Sequence, residues 1–114
     1  MAKRTRVLLA SEERRHFPRY QIHHGKEPHL VAHLQDADRY PAHILDLSKG
    51  GISLLCDHRL NLGDVVTLNL HHIPRRFVCE VSVRITLAKE FLGAFLLGAA
   101  FSRELTDAEM EGLL

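Results

Sequence analysis

Tryptophan is absent from the 114 residues, and the other aromatics amount to five Phe and two Tyr. That scarcity argues against a barrel gripping single-stranded RNA, because such binders lay successive bases on exposed aromatic rings. Cysteine is equally sparse: Cys56 and Cys79 each lie inside an apolar stretch, without a C-x-x-C spacing. They read as reduced core residues rather than as a disulfide framework. No excess of one charge is present either, since 15 Lys and Arg stand against 14 Asp and Glu, a formal +1. A broad basic face of the kind that holds a nucleic-acid polymer is thereby excluded. Long apolar runs are missing as well. Val7-Leu8-Leu9-Ala10 is too short for a signal-peptide core, and the run from Phe91 to Phe101 is too short to span a bilayer as a helix. The expectation is a cytoplasmic protein with no membrane span.

What is present fits one domain with a modest single core. Residues 1–12 form the bulk of a flexible basic N-terminal arm, and the arginine-rich charge continues to Arg19: Lys3, Arg4, Arg6, Arg14, Arg15 and Arg19 face only Glu12 and Glu13. Residues 13–114 are read as the folded domain. Leu30, Ala32 and Leu34 alternate with more polar neighbours; Pro41 stands at the start of a strand continuing through Ile44 to Leu47; Ile52 to Cys56 is a short apolar strand. Asn61-Leu62-Gly63-Asp64 is a turn, Val66, Leu68 and Leu70 share one face, and Pro74 ends that run. The clearest alternation is Phe77, Cys79, Val81, Val83 and Ile85 against Val78, Glu80, Ser82, Arg84 and Thr86, which gives one buried face and one wet face. Ala88-Lys89-Glu90 is expected to turn this strand into the last one, where Gly93 and Gly98 mark a bend or bulge. Thr106-Asp107-Ala108-Glu109 has the capping-box pattern and opens a short helix with Met110, Leu113 and Leu114 as its apolar stripe. The fold class that follows is all-β, a small six-stranded antiparallel barrel with a short C-terminal helix.

Nine histidines show neither an H-E-x-x-H motif nor a Cys/His spacing typical of zinc, so no metal site and no cofactor are expected. Ser48, His43 and Asp46 do not make a hydrolase triad, because no nucleophile elbow accompanies them. The chain is not read as an enzyme.

Two motifs about thirty positions apart carry the functional signal. The first is Arg14-Arg15-His16-Phe17-Pro18-Arg19, an R-R-x-x-x-R pattern before the first long strand; the second is Asp46-Leu47-Ser48-Lys49-Gly50-Gly51, a D-x-S-x-x-G pattern at a strand-to-strand turn. Together they resemble the signature of the PilZ family, whose members bind the bacterial second messenger cyclic di-GMP. The resemblance implies a six-stranded barrel with a C-terminal helix, and assigns ligand-binding roles to Arg14, Arg15, Arg19, Asp46, Ser48, Gly50 and Gly51. The chemistry suits such a ligand. Guanidinium forks match phosphate oxygens and the O6/N7 edge of guanine, and a carboxylate can accept from guanine N–H groups. Gly50-Gly51 offers positive φ or a close backbone approach, and Pro18 pre-orders the approach to Arg19.

The implied function is a non-catalytic receptor or adaptor that orders its arginine arm over cyclic di-GMP and signals to a protein partner. The alternative is a PilZ-like protein-interaction module without ligand binding.

Overall fold

Period-two alternation of apolar side chains governs the chain from Leu30 onward, and a sheet that buries one face has to curl onto itself to keep those residues from water. The computed structural model describes residues 17–23 and 29–114. Its elements are β1 (Tyr20–Gln21), β2 (Leu30–Gln35), β3 (Arg39–Leu47), β4 (Gly51–Cys56), β5 (Val65–His72), β6 (Phe77–Phe91), β7 (Ala94–Phe101) and α1 (Asp107–Leu113). All pairings are antiparallel, in the order β3-β2-β5-β6-β7-β4, and β4 pairs back onto β3 to close a six-stranded barrel. β1 is an extra strand on the β3 edge opposite β4: Tyr20 pairs with Leu47 and Gln21 with Asp46, beyond the point where β2 leaves β3. Its two exposed residues carry no alternation that a sequence pattern could reveal.

Inside the barrel Leu34, Ile44, Leu54, Leu68, Leu70, Val83, Ile85 and Leu97 are almost wholly removed from water, each side chain contributing about 1.5–3 kcal/mol of hydrophobic stabilisation. Cys56 and Cys79 are buried free thiols within this core. Burial and the neighbouring Glu109 carboxylate push the Cys79 thiol up to about 11, which keeps it protonated and unreactive at neutral pH. Below one end of the barrel α1 docks through Met110 and Leu113, and Gly112 lets it sit directly on the Phe77 ring, since a Cβ there would come within 2.7 Å of that ring. The capping box is fully formed: Thr106 Oγ1 accepts from Glu109 N at 3.0 Å, and a Glu109 carboxylate oxygen accepts from Thr106 N at 2.9 Å. Leu114, expected in the apolar stripe, is instead the half-exposed C-cap.

Two local expectations are corrected. The β6–β7 hairpin does not turn at Ala88-Lys89-Glu90. These residues pair with Leu97, Leu96 and Phe95, and the turn falls at Leu92-Gly93, both at positive φ (51° and 83°). A two-residue turn of this hand needs positive φ at both central positions, and the glycine there supplies one at no steric cost. Pro41 lies third in β3 rather than at its start. The β2–β3 ladder reaches back to Gln35 and Arg39 because Asp36 folds the turn, its carboxylate accepting from Asp38 N at 3.1 Å.

Candidate functional site

The second motif occupies the end of β3, the start of β4 and the turn between them. In the turn Ser48 N donates to Gly51 O at 2.9 Å, and Ser48 Oγ accepts from both Gly50 N and Gly51 N at 3.2 Å. The same hydroxyl can donate to Gly51 O at 3.4 Å. Ser48 is buried, and both acceptor positions of its hydroxyl shape the turn. These bonds fix the Gly50-Gly51 backbone. Further bonds pin the turn to the rest of the molecule: Phe101 N donates to Gly50 O, Leu105 N donates to Lys49 O, each at 2.9 Å, and Lys49 Nζ lies 2.6 Å from Asp107 Oδ1. That contact with Asp107 raises the Lys49 pKa.

The two glycines meet different neighbours. A Cβ on Gly51 would sit 2.6 Å from the carbonyl oxygen of Ala99 on β7, so the residue is demanded by close strand packing. Its φ is not in the left-handed region. A Cβ on Gly50 would sit 3.2 Å from the ring of Phe17, which rests half-buried against this turn. Phe17 thus anchors the chain leading into β1 to the β3–β4 turn.

A break in register between Ile44 and Asp46 in the β3–β4 ladder leaves Leu45 as the extra residue. Such a bulge re-aims the side chains around it. Here it allows Ile44 and Leu47 both to point into the core, while Asp46 faces outward on the same strand. On the other edge of β3, Gln21 pairs with Asp46, and Ile22 N donates to Leu45 O at 3.0 Å. This brings Arg19 alongside, its Nη1 3.4 Å from Asp46 Oδ1. Arg19, Asp46, Ser48, Gly50 and Gly51 are therefore assembled at one place. Arg14 and Arg15 lie outside the described residues, as does the proposed arm over residues 1–12.

Within this cluster is a small depression of about 70 Å³, lined among others by Arg19, Ser48, Gly50, Gly51, Ser53, Thr86 and Gly98. Sequence reasoning did not single out Ser53 or Thr86. Ser53 could have been found two residues beyond Gly51 on the same strand face, but Thr86 depends on strand register. A larger cavity of about 480 Å³ lies elsewhere, lined by Val31, His33, Pro41, His43 and Leu55 among others. Its lining is mostly apolar and includes none of the motif residues, so size alone does not identify the site. Among the described residues no three His, Cys, Asp or Glu side chains come together in a way that could hold a metal ion, and no helix is long and apolar enough to cross a membrane.

Solved structures share this architecture. The K. pneumonia MrkH–c-di-GMP complex matches at TM-score 0.62 with 13% identity, over 85% of this chain and 48% of that one. The Bacillus subtilis inhibitor of motility, MotI/DgrA, matches at TM-score 0.61 with 16% identity, over 88% and 47%. MrkH described as a c-di-GMP-dependent transcription regulatory factor matches at TM-score 0.58 with 12% identity, over 84% and 46%. At these identities the likeness is one of fold, and the chain spans about half the length of each. No curated protein matches the sequence. The family model described as PilZ domain matches residues 13–114. That match covers most of the chain and the fold is a closed six-stranded barrel, so the chain belongs to the PilZ domain family.

Proposed function

We propose that this chain is a cyclic di-GMP receptor that performs no chemistry on its ligand. The observation that carries the reading is the meeting of Arg19 with Asp46 beside the Ser48–Gly51 turn. A guanidinium and a carboxylate offer the donor fork and the acceptor that a guanine edge and a phosphate together require. Arg14 and Arg15 complete the cationic set from the preceding segment. The ligand is held between that segment and the turn, and its two phosphates neutralise the arginines. The similar MrkH structures, one a complex with c-di-GMP and one described as c-di-GMP dependent, support the ligand class.

Signalling then follows from ordering of the arginine segment over the barrel, which alters the surface offered to a downstream protein. The near-neutral body gives a nucleic-acid polymer no broad basic face to bind, and the free thiols suit a reducing cytoplasm. Calorimetric titration with cyclic di-GMP, GTP and single-stranded RNA tests the reading. Saturable binding of cyclic di-GMP alone supports it, and the absence of any heat with cyclic di-GMP rejects it.

A further inference from the structure

We propose that Thr86 and Ser53 form a phosphate-receiving wall of the site, each hydroxyl donating to a phosphate oxygen of the ligand; this rests on the cyclic di-GMP reading above. The argument begins with the β6–β7 register. Val83 pairs with Phe101, Arg84 with Ala100 and Ile85 with Ala99, but the next pair is Leu87 with Gly98, which leaves Thr86 as the extra residue of a bulge. Bulges redirect a side chain that regular pairing would aim elsewhere. The residue opposite this bulge has no side chain, and a Cβ at position 98 would lie 3.1 Å from Leu87 Cβ and 3.5 Å from Thr86 Oγ1. The Thr86 hydroxyl accordingly stands over Gly98. Across the other edge of β7, Gly98 pairs with Ser53 of β4. The two hydroxyls bracket one glycine on the outer face of the barrel, and both line the depression that Arg19 also walls.

The electrostatics favour an anion there. No carboxylate lines the depression, and neither hydroxyl has a hydrogen-bond partner among the described residues. Arg84, outward-facing and without an ion pair among the described residues, pairs on β6 with Ala100, which lines the depression, though Arg84 itself does not. Asp46, beside the depression, is held against Arg19. Hydroxyl donors reach anionic oxygens in short, charge-assisted bonds and can rotate to suit a tetrahedral group. Ser48 also lines the depression, but its Oγ already accepts from Gly50 N and Gly51 N, whereas Thr86 and Ser53 carry no such bonds.

The test is calorimetry of the whole chain with cyclic di-GMP, comparing the native protein with Thr86→Val, Ser53→Ala and the double variant, alongside the ³¹P spectrum of the bound ligand. Thr86→Val keeps the branched shape and removes only the hydroxyl, and Thr86→Ser restores it. Each single variant is expected to bind about tenfold more weakly and the double variant roughly a hundredfold. Melting temperatures should stay close to native, Thr86→Ser should regain native affinity, and the ³¹P shift should differ between native and Thr86→Val complexes. Native affinity in the double variant, or an unchanged ³¹P shift in Thr86→Val, overturns the hydroxyl wall while leaving the receptor reading intact. Failure of the native protein to bind cyclic di-GMP overturns both.

Discussion

Arg19 and Asp46 stand 27 positions apart in sequence, yet the Arg19 guanidinium lies 3.4 Å from the Asp46 carboxylate. The Arg19 side chain is 62% exposed, so water screens the pair and its stabilising effect is at most about 1 kcal/mol. What the contact fixes is position, holding a cationic fork beside the turn. Arg19→Ala is therefore expected to leave the melting temperature almost unchanged and to weaken cyclic di-GMP binding roughly ten- to a hundredfold, since charge-assisted bonds contribute about 1.5–3 kcal/mol each. Paired calorimetry and thermal melts check this. A large loss of stability with unchanged affinity would mark the arginine as a structural residue.

Gly51 and Ser48 give the opposite pattern, because both hold up the barrel. Gly51→Val drives a branched Cβ into the Ala99 carbonyl, where a Cβ already falls at 2.6 Å, and a strain of about 1–3 kcal/mol or more is expected. Ser48→Ala removes the acceptor for Gly50 N and Gly51 N, a milder loss of about 1 kcal/mol per bond. Thermal melting should rank native above Ser48→Ala above Gly51→Val, with affinity for cyclic di-GMP following the same order. Gly51→Val that melts like the native protein would contradict the packing account.

The barrel was legible in sequence because its inward residues alternate along β5 and along β6 as far as Ile85, and the helix because Thr106 and Glu109 are a local pair. The motif residues were legible for the same reason, as type and spacing are local properties. The places where the reading stopped depend on register. Asp46 and Thr86 are aimed by bulges, and nothing in a list of residues says which strand slips by one against which partner. Gly93 was visible as a permissive residue. Whether it made a bulge or closed a hairpin depended on the length of β6, which tertiary pairing with β7 extends to Phe91. The need for glycine at 51 was likewise visible, while its cause, the Ala99 carbonyl on a strand almost fifty residues later, was not.

Acid should destabilise the C-terminal helix. Hydrogen bonds from Arg103, and then from Thr106 N, hold the Glu109 carboxyl down to about 2. A carboxyl depressed in the folded state adds stability that is fully present above its unfolded value of about 4.3 and is lost as pH falls toward 2. Asp36, lowered by its bond from Asp38 N, acts in the same direction, so the informative comparison is with Glu109→Gln. Differential scanning calorimetry between pH 5 and pH 2 is expected to show a steeper fall in melting temperature for the native protein than for this variant. Parallel curves would mean that the capping carboxylate carries no net stability.

At the tip of the β6–β7 hairpin, as at Arg76 (φ 55°) before β6, the turn chemistry runs against the sequence. Leu92 takes φ 51° and is 90% exposed, beside Gly93 at 83°. Both central positions of the turn thus need the left-handed region, where a side chain without a short polar group gains nothing locally and meets its own carbonyl. Asparagine tolerates that region far better, and Asn-Gly is the favoured pair for a two-residue hairpin. Leu92→Asn should relieve about 0.5–1 kcal/mol of strain, raising the melting temperature by a few degrees in a domain of this size. The same change removes a large apolar group from the surface and should improve solubility. Because Leu92 is not among the residues lining the depression, affinity for cyclic di-GMP should stay at the native value. Thermal melting and calorimetry on the one variant settle both halves: a lower melting temperature would show that Leu92 packs against something in solution, and a changed affinity would tie the hairpin tip to the ligand site.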